Sequence, residues 1–116
     1  MKGIATCEDC IIELWKTNCK DCEAAKLIVA ELEKRGFMFD KHNIETARGR
    51  IIWEEYLSEI DENSINQGYD EGYIYAPTFI NPKTRKVIAF SDRAPTKKEL
   101  LKLIEGGERN ETRITS

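Results

Sequence analysis

Residues 11–22 read IIELWKTNCKDC, and this stretch decides how the rest of the chain is interpreted. Its first part, IIELW at 11–15, is rich in β-branched and aromatic residues, which predicts a central strand covered on both faces. The run leads to a Cys-x-x-Cys pair, Cys19 and Cys22, and a second pair, Cys7 and Cys10, precedes it. The stretch therefore fits either a redox dithiol presented by a helix or half of a four-cysteine metal site.

The composition restricts the classes of function. The chain has 116 residues with 18 Lys and Arg, 21 Asp and Glu, and a net charge of −3, which predicts one soluble domain. It carries no basic stripe, so we expect no nucleic-acid partner. No apolar run approaches the ~20 residues of a membrane span, so we expect no membrane partner and a cytoplasmic location. Thiols are kept reduced in that compartment, and two Cys-x-x-Cys pairs there indicate redox chemistry or metal binding.

The apolar periodicity predicts an α/β fold in the order β-α-β-α-β-β-α, with a central mixed four-stranded sheet flanked by helices. The predicted elements are a strand at 11–15, a helix at 20–35, a strand at 37–44, a helix from Glu45 or Thr46 to Ile60, a loop at 61–75, a hairpin of 77–81 and 86–90, and a last helix. The last helix begins at a capping box of Thr96 and Glu99 and ends at Gly106-Gly107. We divide the chain into an N-terminal segment at 1–10, a domain at 11–107 and a flexible tail at 108–116.

The pair Cys19 and Cys22 has the placement that disulfide exchange requires. A thiolate is the attacking group, and the free N–H groups and positive dipole end of a helix start stabilise the anion of Cys19. Lys16 and Lys20 add positive charge nearby, whereas Asp21 opposes them. Cys22 lies one helical turn further on, within reach of a mixed disulfide on Cys19. We therefore expect Cys19 to attack and Cys22 to resolve.

Glu13 interrupts the apolar run of the first strand. In a central strand its side chain is buried, and burial raises the pKa of a carboxyl group toward a value suited to proton exchange with Cys22. In an edge strand the side chain would simply reach solvent. The central position makes Glu13 a candidate catalytic residue.

The strand, the Cys-x-x-Cys pair and the following helix resemble the thioredoxin/glutaredoxin superfamily over roughly residues 10–106. The resemblance implies a thioredoxin-like fold and a thiol-disulfide oxidoreductase that reduces protein disulfides or glutathione mixed disulfides. It gives Glu13 the role of a buried proton relay. Lys16 and Ser91-Asp92 resemble glutaredoxin residues that contact glutathione, and Ala76-Pro77-Thr78 resembles the segment with a cis proline that pairs with the substrate. It implies no bound cofactor, with glutathione as a co-substrate or a reductase as the electron donor.

Two other interpretations stay open at this point. A tetrahedral zinc site could use Cys7, Cys10, Cys19 and Cys22. A strand at 11–15, however, would place Cys10 and Cys19 at opposite ends of the sheet. A non-enzymatic thioredoxin-like adaptor could instead hold a partner through the loop at 61–75, which contains Tyr69, Tyr73 and Tyr75.

Five residues have simpler roles as alternatives. Cys7 and Cys10 could be exposed thiols without a role, a second redox pair or relay, metal ligands, or partners in an intermolecular disulfide. His42 fits a surface or hydrogen-bonded position better than a catalytic one. Trp15 and Trp53 fit the core or the rim of a pocket.

Overall fold

The structure is a computed structural model that describes residues 9–69 and 75–105. Its elements are β1 Ile11–Trp15, α1 Lys20–Lys34, β2 Phe39–Asn43, α2 Ala47–Glu55, α3 Leu57–Asn66, β3 Thr78–Asn81, β4 Lys86–Ala89 and α4 Lys97–Glu105. Cys7, Tyr73, the Gly106-Gly107 stop and the tail at 108–116 lie outside the described residues. No helix within the described ranges is long and apolar enough to cross a membrane.

The four strands form one mixed sheet in the order β2-β1-β3-β4. β1 pairs parallel with β2 and antiparallel with β3, and β3 pairs antiparallel with β4. The chain thus has the predicted α/β class and the predicted mixed four-stranded sheet. Because β1, β2 and β4 run in the same direction, their ends and the start of β3 lie along one edge of the sheet. We call this edge, at which β1 ends with Trp15, the Trp15 edge.

Helices cover both faces of the sheet, which explains why the strand at 11–15 is apolar on both sides. One face packs against α1 and α4, and its buried residues are Ile11, Ala25, Val29, Leu32, Phe79, Leu100 and Leu103. The other face packs against α2 and α3, and its buried residues are Ile12, Leu14, Ile44, Ile52, Ile60 and Ile80. Adjacent residues of β1 alternate between the two clusters, as side chains of a strand must.

The helix boundaries follow capping signals in the sequence. Thr46 caps α2, since its Oγ1 accepts a hydrogen bond from the Gly49 amide at 3.1 Å. The capping box of α4 is confirmed, because Thr96 Oγ1 accepts from the Glu99 amide at 3.1 Å and Glu99 Oε1 accepts from the Thr96 amide at 2.8 Å. Gly36 follows α1 with a φ of 99°, the left-handed conformation that favours glycine after a helix.

The predicted loop at 61–75 is wrong over its first part, because α3 continues to Asn66 and ends before Gly68, which has a φ of 88°. The prediction of a single helix after β2 is also wrong, because the structure has two helices there, α2 and α3, which are separated at Tyr56. The segment looked like a loop because its inward position after Ile60 is Ser64, which is completely buried although it is polar. A helix that buries small or amide side chains lacks the apolar period on which the prediction depended.

Amide side chains fix the end of α3 to the sheet. Asn63 Nδ2 and Gln67 Nε2 both donate to the carbonyl oxygen of Ala89, at 3.2 and 2.6 Å. Ala89 is the last residue of β4, so these bonds hold α3 against the Trp15 edge. The polar character of residues 61–67 therefore reflects specific hydrogen bonds to the sheet rather than a solvated loop.

Candidate dithiol site

Cys19 and Cys22 form a disulfide at the start of α1, with their Cα atoms 5.2 Å apart. Cys19 is the N-cap residue, in an extended conformation, and its Sγ accepts a hydrogen bond from the Cys22 amide at 3.1 Å. An amide that points at a sulfur atom at a helix N-terminus stabilises negative charge on it. Cys19 is 9% exposed and Cys22 is 3% exposed, so Cys19 retains the larger contact with solvent.

The segment before β3 lies against the Cys19 sulfur. Ala76 precedes Pro77 through a cis peptide bond, and the Ala76 carbonyl oxygen lies 3.4 Å from Cys19 Sγ. Pro77 and Thr78 are buried, and Thr78 Oγ1 donates to the Tyr75 carbonyl oxygen at 2.9 Å. The three predicted residues at 76–78 are thus brought to the dithiol, although they follow it by more than fifty positions in the sequence.

Glu13 is buried in β1 on the face that α1 covers, with 4% of the residue exposed. Burial raises the pKa of its carboxyl group from the ordinary value of 4.5 to about 7, against a smaller opposing effect of Lys41. Glu33 raises this pKa further, and Lys26 lowers it. The predicted burial and the predicted direction of the pKa change are therefore both present in the structure.

A groove with a volume of about 520 Å³ connects Glu13 with Cys22 of the disulfide and with the surface. Its lining includes Glu13, Cys22, Lys26, Glu33 and Lys41. The groove gives the Glu13 carboxyl group and the Cys22 side chain a common space through which a proton could pass directly or through water. The sequence indicated Glu13 and Cys22, but it gave no local signal for Glu33 and Lys41, which approach from α1 and β2.

The residues that the resemblance linked to glutathione lie at the Trp15 edge. Lys16 directly follows β1 and is exposed, and Asp92 follows β4 and is also exposed. Ser91 lies beside Asp92, but its Oγ donates a hydrogen bond to the hydroxyl oxygen of Tyr69 at 2.6 Å. The structure thus brings the predicted residues to one edge and adds Tyr69, three residues after the end of α3, as a hydrogen-bond partner of Ser91 that the sequence did not indicate.

The cysteine that precedes β1 lies at the opposite end of that strand. Cys10 is buried with 6% of the residue exposed and is not a free thiol. A five-residue strand at about 3.3 Å per residue separates Cys10 from the Cys19 end by roughly 16 Å. This distance is too large for zinc–sulfur bonds of about 2.3 Å from both cysteines. Within residues 9–69 and 75–105, no cluster of three His, Cys, Asp or Glu side chains could hold a metal ion.

The remaining aromatic and histidine candidates have structural contacts. His42 Nε2 lies 2.9 Å from Asp40 Oδ1 on the same strand, β2. Trp15 and Trp53 are partly buried, and Trp15 lines the groove. Tyr75 is buried with its ring edge against Tyr69, the ring centroids being 5.7 Å apart.

Comparison of the chain with protein-family models, with curated proteins and with solved structures gives no match.

Proposed function

We propose that the protein is a thiol-disulfide oxidoreductase with a thioredoxin-like fold, which exchanges electrons between Cys19–Cys22 and a disulfide substrate. The disulfide at the start of α1, with the Ala76 carbonyl oxygen 3.4 Å from Cys19 Sγ, carries the proposal. A mixed four-stranded sheet with helices on both faces supports the thioredoxin-like assignment.

In the proposed reaction, the reduced protein transfers two electrons to the substrate. The Cys19 thiolate attacks one sulfur of the substrate disulfide, and the other sulfur leaves as a thiolate that takes up a proton. Cys22 then loses its proton and attacks Cys19 Sγ, which re-forms the Cys19–Cys22 disulfide and releases the second substrate thiolate for protonation. The substrate gains two electrons and two protons. Two molecules of a thiol such as glutathione, or one dithiol reductase, then supply two further electrons and two protons, which reduce the Cys19–Cys22 disulfide again and leave the donor as a disulfide.

Glu13 is proposed to accept the proton of Cys22 in the second step. A base works best when its pKa lies near the working pH, and the pKa of Glu13 is raised to about 7. Both groups line the same groove, which supports transfer between them or through a water molecule.

Glutathione and a reductase remain two candidate electron donors. Lys16 and Asp92 lie exposed at the Trp15 edge, and their opposite charges suit the carboxylate and the ammonium group of glutathione, as the resemblance implies. The donor is identified by comparing the rate at which glutathione reduces the Cys19–Cys22 disulfide with the rate given by a thioredoxin reductase.

Single cysteine variants test the proposed function. Cys19→Ser is expected to abolish the reduction of a model protein disulfide, because the attacking sulfur is lost. Cys22→Ser is expected to accumulate a mixed disulfide with the substrate, which mass spectrometry detects. Cys10→Ser is the matched control, since Cys10 lies at the other end of β1, and it should retain reduction. Unchanged activity of Cys19→Ser would refute the proposal, whereas a native protein that reduces no disulfide would favour a non-enzymatic adaptor.

A further inference from the structure

The groove beside Glu13 contains two lysines, and a carboxylate of α1 is paired with each of them. Lys41 Nζ lies 3.1 Å from Glu33 Oε2, and Lys26 Nζ lies 3.4 Å from Glu23 Oε2. All four of these side chains line the groove. The two lysines that lie in the groove with Glu13 are therefore both paired with carboxylates other than that of Glu13.

Lys41 is the cation best placed to pair with Glu13. The two residues are register partners on the parallel strands β1 and β2, so their side chains emerge on the same face about 4.8 Å apart. Nevertheless, no hydrogen bond or ion pair joins the Glu13 carboxyl group to any other described residue. The Lys41 ammonium group instead lies toward the surface, where its side chain is 45% exposed beside Glu33.

We propose that Glu33 is a positioning residue that holds the Lys41 ammonium group away from Glu13 and thereby keeps Glu13 able to carry a proton beside Cys22. The inference rests on the proposed function, because it concerns the proton that the resolving step releases. If Lys41 were free, it could turn inward and form an ion pair with Glu13, which would favour the ionised carboxylate. An ionised Glu13 held by a lysine is a weaker base toward Cys22.

The charged and titratable groups that face Glu13 come from two elements. α1 contributes Cys22, Glu23, Lys26 and Glu33, and β2 contributes Lys41. The neighbouring residue of β3 is Phe79, which carries no charge. Lys41 lowers the pKa of Glu13 more than Lys26 does, and Glu33 raises it. Glu23 is paired with Lys26, the lysine of smaller effect, so it is a suitable comparison for Glu33.

The test is a carbon-13 NMR titration of the Glu13 carboxyl group in the oxidised protein. Glu33→Gln is expected to lower the titration midpoint of Glu13 by about one pH unit, because Lys41 is freed and a like charge is removed. Glu23→Gln removes the same charge from the same helix and frees Lys26, and it should move the midpoint by less than about a third of that amount. Both positions are partly exposed, so neither variant removes core packing.

A second pair of variants isolates the part played by Lys41. When Glu33→Gln is introduced into a Lys41→Gln protein, the midpoint of Glu13 should move by less than about half as much as in the presence of Lys41. The proposal is overturned if Glu33→Gln leaves the midpoint unchanged, if Glu23→Gln moves it equally, or if the full change persists without Lys41.

The titration does not depend on catalysis, so the two proposals can fail separately. If Cys19→Ser retains full disulfide reduction, the proposed reaction at Cys19–Cys22 is wrong, and the titration still reports whether Glu33 controls Glu13. If the function holds, Glu33→Gln should also move the pH profile of the resolving step to lower pH by about the same amount as the NMR midpoint. A purely structural effect of the substitution would not move that profile.

Discussion

The buried carboxyl group of Glu13 should make the stability of the oxidised protein depend on pH, and Glu13→Gln should remove this dependence. Glutamine has nearly the same shape and cannot ionise. The substitution therefore leaves the packing between β1 and α1 close to that of the native protein and deletes only the titration.

The magnitude follows from the change in pKa on folding. In the unfolded chain Glu13 has its ordinary pKa of 4.5, and in the folded protein the pKa is raised to about 7. The folded state thus binds more protons than the unfolded state between these values, and stability falls as pH rises through that window. At 1.36 kcal/mol per pKa unit, the complete loss is about 3 kcal/mol, fully expressed by about pH 8. Glu13→Gln should therefore be about 3 kcal/mol more stable than the native protein at pH 8 and nearly equal to it at pH 4.5.

Urea unfolding of the oxidised protein at a series of pH values measures this difference directly. The matched control is Glu54→Gln, which removes the same charge at an exposed position on α2. Its free energy of unfolding should follow that of the native protein at every pH. The reasoning is refuted if the native protein and Glu13→Gln lose stability in parallel between pH 5 and pH 8.

Two further substitutions test packing, each by urea unfolding at pH 7. Asn81 is buried, its Nδ2 donates to the Leu103 carbonyl oxygen at 2.8 Å and its Oδ1 accepts from the Lys83 amide at 3.0 Å. Asn81→Leu should therefore lower the free energy of unfolding by about 2 kcal/mol, since it leaves the Leu103 carbonyl oxygen and the Lys83 amide without these partners. An unchanged free energy of unfolding would contradict the contribution of these two hydrogen bonds. Gly49→Ala should lower the free energy of unfolding by about 3 kcal/mol or more. The reason is that an added Cβ would lie against the backbone of Asn43 and within 2.9 Å of Ile44 Cα. A decrease of less than about 1 kcal/mol would contradict this close contact and show that α2 can move away from β2.

The elements that local patterns define were predictable from the sequence. The strand at 11–15 is apolar on both faces because helices cover both sides of the sheet, and the helix after it has its buried residues at helical spacing. The helix α4 was predictable because a capping box and an amphipathic pattern agree. Within α4, however, the most buried residues are Leu100 and Leu103, and Leu101 and Ile104 are only partly buried.

The parts that were missed depend on contacts between distant segments. The last turns of α3 replace apolar contacts with hydrogen bonds from Asn63 and Gln67 to Ala89, more than twenty residues away. No pattern within residues 61–67 indicates that such a carbonyl partner exists. The hydrogen bond from Ser91 to Tyr69 and the ion pair of Lys41 with Glu33 were missed for the same reason, since each joins two different elements.

Glu13 lowers the stability of the fold at neutral pH but provides a group that can accept a proton. An apolar side chain there would continue the pattern of β1 and would avoid the loss of about 3 kcal/mol that ionisation causes above neutral pH. The neighbouring lysines could reduce this loss, but each is held by a carboxylate of α1 instead. The arrangement therefore keeps the Glu13 carboxyl group near its titration midpoint at neutral pH, in the groove that Cys22 also lines. Such a group lowers stability when it ionises, but it suits the proposed chemistry, in which a buried thiol must lose a proton before it can attack.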